Sequence, residues 1–335
     1  MKQKIAEFSF LHVFAILLVV LGHSFYQTNS LIVDWLYQFH VPLFFFVSGY
    51  LFKVSVNGKP LQPHIFLSRK AVRLLLPYFA LSTLLFVPKI LLSQYMVRPI
   101  QANWSEYVLM LIYPYRNVNS SYWFLPTLFL LFVFAVVALL FFQRLKHRTS
   151  LTVTTLLLSL LALANISLPF SHDTLFNVVG VIHYAFYFAL GYFVFSFGLM
   201  RFLDKGKIAF LVFLFTFVVS IIGLHVNKSP LMDLFFAMNG ILMSVALARL
   251  YAKYDFHFLN HLSPSSYTIY LYHGIFQALS LQILMRFTHF DIGFYIILAF
   301  LSGVYGSFLV YKLLYRCRNS RLGRTLALIS GISVS

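Results

Sequence analysis

Four ionisable side chains, His12, His23, Asp34 and His40, lie in the stretch Phe8 to Phe52, which is otherwise apolar enough to cross a bilayer twice. Ionisable groups inside a membrane are expensive and by default mark function. His12 and His23 are eleven positions apart. At about 100° per residue that is three turns plus about 20°, so both fall on one helix face, roughly 16 Å apart along the axis. Such a face can line a polar passage. Gly22, next to His23, lets another helix or a ligand come close. Imidazole is the usual general base near neutral pH. The plainer alternative for His23 is a buried histidine satisfied by a backbone carbonyl, and both readings stand. His12 sits near the cytoplasmic end and reads first as an interfacial group that reaches water.

His40 is followed two residues later by Pro42, and a proline within a helix frees backbone groups and kinks it. That predicts a polar pocket beside the imidazole. Asp34 has two equal readings: it orients a histidine of the first helix, or it faces water near a helix N-terminus. Ser48 and Gly49 predict a packing notch, since a nucleophilic serine needs a base within reach. Arg69, Lys70 and Arg73 fall at the predicted start of the third helix, with Arg69 and Arg73 on one face. Such a cluster suits phosphates, although the positive-inside rule explains it equally. His273 lies mid-span and shares a face with Tyr270. Trp104, Tyr107, Tyr113, Tyr115 and Tyr122 flank a long loop over 94–120 and read as an interfacial belt before a sugar-stacking surface. Walker, HExxH and GxSxG patterns and zinc-ligand spacing are absent, so no metal is expected.

The elements that must position these residues follow from composition. The chain has 335 residues, 61% hydrophobic and 10% charged, with mean hydropathy +0.85. A soluble domain carries about 25% charged residues. The net charge of +17 does not point to nucleic acid, because the basic residues sit in short clusters between apolar runs. The single cysteine, Cys317, excludes an internal disulfide framework. The lysines before the first apolar run resemble a signal peptide, but no small-residue cleavage site follows, so the segment reads as a retained helix.

An all-α, polytopic integral membrane protein of about ten transmembrane helices is therefore expected, over 8–27, 31–52, 71–93, 121–142, 150–168, 177–198, 208–225, 231–250, 265–286 and 291–314. With both termini cytoplasmic, only Lys89, Arg98, Arg116, Lys228 and Arg286 of the 25 Lys and Arg fall outside. That bias fits the positive-inside rule. Residues 1–315 read as one membrane domain and 316–335 as a short basic tail. A transporter or flippase for a glycan or lipid-linked precursor fits this architecture as well as an enzyme does.

Five blocks carry a resemblance: LHVFAILLVVLGHS (Leu11–Ser24), FHVPLFFFVSGYLF (Phe39–Phe52), RKAVRLLLPY (Arg69–Tyr78), YWFLPTLFLL (Tyr122–Leu131) and SYTIYLYHGIF (Ser266–Phe276). In this order the chain resembles the acyltransferase family 3 membrane proteins, and among them the sugar O-acetylases related to fucose 4-O-acetylase. The resemblance implies transfer of an acyl group, usually acetyl, from cytoplasmic acyl-CoA to a sugar hydroxyl of an envelope glycan or its lipid-linked precursor, in the plasma (bacterial inner) membrane. It makes His23 the essential histidine, with His12, Asp34 and His40 as its neighbours in the catalytic set. Arg69, Lys70 and Arg73 become coenzyme-A phosphate contacts. Trp123, Tyr122 and His273 take supporting roles toward the acceptor. The family usually carries an arginine where this chain has His12, so a permanent charge is lost there; a member silenced by that change is a third reading. About twenty residues follow the tenth predicted span, so transfer is expected to finish within the membrane domain or to pass to a separate partner. Neither the acceptor nor an oligomeric state is written in these residues.

Overall fold

The computed structural model describes residues 2–25, 28, 30–58, 61–93, 103–142, 147–171, 173–288 and 290–332. Tyr26 and Gln27, parts of the loops over 53–70 and 94–120 (59–60 and 94–102, with Arg98), and Arg144 and Lys146 lie outside them. The described residues are helical, with no strand among them. The helices are α1 (Lys2–Ser24), α2 (Leu31–Tyr37), α3 (His40–Val56), α4 (Pro63–Leu91), α5 (Trp104–Ile112), α6 (Phe124–Phe142), α7 (His147–Ser167), α8 (Val178–Phe197), α9 (Gly206–Ile222), α10 (Pro230–Lys253), α11 (Ser266–Phe287), α12 (Ile292–Leu301), α13 (Ser307–Cys317) and α14 (Arg321–Ile329). A π-helical segment, Ser302–Gly306, joins α12 to α13. Among the described residues, eight helical segments are long and apolar enough to span a membrane. The remaining two expected spans are helices as well: α7 contributes a shorter apolar stretch, Thr152–Ser167, and α11 covers Ser266–Phe287. The protein is thus an all-α, polytopic membrane protein.

Two boundaries differ from expectation. Pro42 does not kink a continuous helix. The break falls earlier, at Gln38–Phe39, and Pro42 sits in the first turn of α3. A proline ring clashes with the carbonyl four residues before it, here that of Gln38, and a first-turn position needs no backbone N–H. The third helix begins at Pro63, with proline at its first position. Arg69, Lys70 and Arg73 therefore lie inside α4 rather than at its mouth.

The chain forms two compact units: residues 1–59, 165–167 and 186–310, and residues 60–164, 168–185 and 311–335. In the first, α1 packs against α3, α10 and α11, and α10 packs along α9. Glycines set the closest approach. A Cβ on Gly49 of α3 would collide with the Phe188 carbonyl of α8, and one on Gly191 with the Phe46 carbonyl. This reciprocal backbone contact is the notch expected at Ser48–Gly49.

In the second unit, α4 packs against α6 and α14. The Tyr78 hydroxyl donates to the Leu111 carbonyl at 2.9 Å, and Asn117 Nδ2 to Ser82 Oγ at 2.8 Å. The region of the expected short basic tail carries the helix α14. Ser320 caps α14, and Gly323 and Ala327 are buried within the unit, with Arg321 and Arg324 exposed.

Candidate active site

α1 begins before the bilayer-like stretch and ends at Ser24, so His23 occupies its last turn. His23 keeps accessible surface in the structure. The His273 ring of α11 lies 5.5 Å away, centroid to centroid, tilted by 35°. His40, at the start of α3, packs edge-on to Tyr37 at 4.8 Å, and the Tyr37 ring lies against Gly22, next to His23. Three of the expected residues, far apart in sequence, thus meet at one end of α1.

Two of these imidazoles are fixed by the backbone. His40 Nδ1 is 2.8 Å from the Leu36 carbonyl, across the α2–α3 break. His273 Nδ1 is 2.7 Å from the Tyr270 carbonyl and 3.2 Å from that of Ile269. A carbonyl only accepts, so both Nδ1 atoms carry hydrogen and donate. In the neutral ring the proton-free nitrogen is then Nε2. His273 is fully buried and its Nε2 has no hydrogen-bond partner. Buried polar atoms are rarely left so, and those that are call for an explanation. Among the described residues neither nitrogen of His23 is hydrogen-bonded. The side-chain oxygen of Gln38, in the α2–α3 turn, is a second buried acceptor without a partner.

The α1–α11 contact continues on both sides of His23. Gln277 Nε2 donates to the Val20 carbonyl and to Ser24 Oγ, each at 2.8 Å. Ser24 Oγ in turn donates to the Val20 carbonyl at 2.7 Å. Gly303, in the π segment, leaves room for Gln277: a Cβ there would press on the Gln277 stem. At the other end, His12 Nδ1 lies 2.9 Å from Ser266 Oγ, which donates to the Ser263 carbonyl. His12 is therefore tied to the start of α11, not merely held in interfacial water. Near the same end Glu7, 2% exposed, is paired with Arg249 of α10, whose Nη1 reaches Asp204 at 2.9 Å. Arg249 Nε is 3.1 Å from the Glu7 carboxylate but out of line for a hydrogen bond.

Asp34 is not brought to the histidines. It is exposed on α2 and faces Lys228 Nζ at 3.6 Å. A solvated carboxylate on a seven-residue helix is better satisfied by a surface cation than by a buried ring.

In the second unit, Arg69 and Arg73 are exposed on one face of α4. Lys70 departs from them. Its ammonium sits over the Phe132 ring, 4.1 Å from the centroid, with the Phe66 ring at 5.3 Å. Trp123 stacks with Tyr115, at 5.0 Å and 11°, and with Tyr184, at 5.5 Å and 27°. Tyr122 is wholly buried and belongs to the core, so neither an interfacial belt nor a sugar reaches it. Trp123 itself is half-buried beside these two rings. Outside the spans, the Arg116 guanidinium hydrogen-bonds Asp173 and holds its carboxyl below the usual carboxylate range. Among the described residues no group of three His, Cys, Asp or Glu could hold a metal ion.

The decisive comparison is with family models. The model described as an acyltransferase domain, of the type-3 class, matches residues 5–316, nearly the whole chain. The chain belongs to acyltransferase family 3. No curated protein and no solved structure matches it.

In this family 3 acyltransferase the histidine cluster joins residues from the first, second and fifth blocks of the sequence. Gln277 and Ser266 were missed by sequence reasoning. A signal for both was available: Ser266, Tyr270, His273 and Gln277 follow one another at intervals of four, three and four, one helix face. Glu7 and Arg249 carried none, because a lone Glu before an apolar run and a lone Arg at a helix end look like solvated termini.

Proposed function

We propose that this membrane acyltransferase moves an acetyl group from cytoplasmic acyl-CoA to a hydroxyl of an envelope glycan or its lipid-linked precursor, in a bacterial inner membrane. His23 is the base. The observation that carries the reading is its setting: a histidine at the end of α1 that keeps accessible surface and lies beside the buried His273. The acceptor O–H proton passes to the free nitrogen of His23, and the hydroxyl oxygen forms its bond to the thioester carbonyl carbon. The C–S bond breaks, and the leaving thiolate takes the proton back from His23. No metal is needed, because a thioester asks only for a positioned nucleophile and donors for the oxyanion.

Arg69 and Arg73, exposed side by side on α4, suit the coenzyme's phosphates by charge and by forked geometry. Lys70, held over Phe132, stands apart from that clamp.

Purified protein supplied with labelled acetyl-CoA and a panel of glycan acceptors tests the reading. Transfer, or slow thioester hydrolysis without acceptor, is expected, and both fall by at least 10²-fold in His23→Ala. A folded wild-type sample that does neither, while moving glycan across vesicles without coenzyme A, replaces the enzyme with a transporter. Full activity in His23→Ala removes His23 as the base.

A further inference from the structure

We infer that His273 is a positioning residue for His23: its unpartnered Nε2 accepts an N–H from the His23 ring and so fixes which His23 nitrogen is free to take a proton. The inference rests on the proposed role of His23, but its first observable does not need catalysis.

Three observations converge on it. First, His273 Nδ1 is committed as a donor to the Tyr270 and Ile269 carbonyls, so in the neutral ring Nε2 can only accept. Second, that Nε2 is buried and unpaired in a residue with no accessible surface. An unpaired buried acceptor in a fold this well packed points to a donor that arrives when the site is set for reaction. Third, the neighbour able to supply a donor is His23. A direct N–H···N bond of about 2.9 Å between two rings, each about 1.15 Å from centre to nitrogen, places the centroids roughly 5.2 Å apart. The observed separation is 5.5 Å, a few tenths of an ångström from that value, with the ring planes at 35° to each other. Rotation of the His23 ring about its side-chain bonds is the motion that brings one of its nitrogens to His273 Nε2.

The surrounding contacts show what prevents His23 from drifting out of reach. Gln277, one turn beyond His273 on the same face, holds the Val20 carbonyl and the Ser24 hydroxyl, three residues before and one after His23. α11 therefore supplies both the acceptor for the His23 ring and the clamp on its backbone. The chemical consequence parallels any base whose tautomer is held by a second group. With one N–H engaged, the other nitrogen presents its lone pair to the acceptor hydroxyl, and the imidazolium formed on proton uptake stays hydrogen-bonded. The other groups near this pair are Tyr270, whose ring lies 6.2 Å from that of His273, Tyr37, whose ring lies against Gly22, and His40, which Tyr37 meets edge-on.

The test uses ¹⁵N-histidine NMR on the full-length protein in detergent micelles or nanodiscs, with no donor or acceptor present. In the wild type His23 gives one tautomer. In His273→Leu it gives a mixture of the two. In His273→Gln, whose side-chain oxygen falls close to the lost Nε2, the single tautomer returns. Kinetics then follow: His273→Leu lowers kcat by about 10–100-fold, the range seen when a supporting contact to a functional histidine is lost, with KM for acyl-CoA unchanged, and His273→Gln recovers most of it. Identical His23 spectra in wild type and His273→Leu overturn the inference, as does a His273→Gln variant that behaves like His273→Leu. If His23 responds to His273 as described but no acyl transfer is found with any donor, the assigned reaction fails and the histidine pairing survives.

Discussion

Gln277→Leu isolates the contact that holds His23 in place. Leucine approximates the shape of glutamine, and the pocket under Gly303 is already fitted to an aliphatic stem. The substitution removes two hydrogen bonds, to the Val20 carbonyl and to Ser24 Oγ. It abandons no buried donor, because Ser24 Oγ still donates to the Val20 carbonyl. Side-chain hydrogen bonds between membrane helices average about 0.6 kcal/mol each, with a maximum near 1.7. The expected loss for the two bonds is therefore about 1.2 kcal/mol and no more than about 3.4. A double-mutant cycle with Ser24→Ala resolves the pair term, which should be about 0.6 kcal/mol, because Gln277 keeps its bond to Val20 when the hydroxyl is gone. Unfolding by titration with a denaturing detergent in mixed micelles measures each corner of the cycle. Acyl transfer by Gln277→Leu should fall by more than its stability loss accounts for, since the last turn of α1 is freed. A coupling energy indistinguishable from zero refutes the clamp. A loss well above about 3.4 kcal/mol shows that Gln277 holds something other than α1.

Gly191→Ala should destabilise by about 1–3 kcal/mol, as overpacking does, because its Cβ meets the Phe46 backbone and not a movable side chain; the thermal midpoint of purified protein checks it, and an unchanged midpoint contradicts the notch. For the Arg116–Asp173 pair the sign follows from the lowered carboxyl of Asp173: its contribution is present above the ordinary Asp value of 3.8 and disappears as pH falls through the folded value. The midpoint difference between wild type and Asp173→Asn should accordingly be level from pH 7 to 5, close toward zero on acidification below 3.8, and shrink in high salt because both side chains are half exposed. Arg69→Ala and Arg73→Ala should each raise KM for acyl-CoA about tenfold, the loss of roughly one charge-assisted contact, while Lys70→Met leaves KM near the wild-type value; equal effects at all three positions would put Lys70 back in the clamp.

The sequence carried the helical membrane fold because a bilayer demands long apolar runs, and those are visible without tertiary context. It also carried His23, His40 and His273, because a polar ring in an apolar run stands out wherever the run packs. It did not carry what depends on which face meets which. Asp34 and Tyr122 have the right residue types near the right helices, yet one faces Lys228 and the other fills the core. Lys70 is one residue from Arg69, and that step of about 100° turns it off the arginine face and onto Phe132. The α2–α3 break was signalled by Pro42 but misplaced by four residues, because the steric conflict of a proline lies at the carbonyl one turn back.

Helix direction adds a constraint that hydropathy alone lacks. α1 and α11 run parallel: His12 meets Ser266 near one end and Ser24 meets Gln277 near the other. α10 runs antiparallel to α1, since Gly240 lies against Phe39, at the His40 end, and Arg249 against Glu7. α3 is antiparallel too, with Tyr50 stacked on Phe8. In a chain that crosses a bilayer by alternation, parallel α1 and α11 require an odd number of crossings between them, and antiparallel α1 and α10 an even number. The helical segments between α1 and α10 are α2–α3, α4, α6, α7, α8 and α9, which satisfy the second condition, and adding α10 satisfies the first. α7 has the shortest apolar stretch, Thr152–Ser167, yet removing it alone from the membrane breaks both conditions at once. Glycosylation or cysteine-accessibility tags placed on either side of α7 should report opposite faces of the membrane. Tags that report the same face would require a second helix to leave the membrane with it.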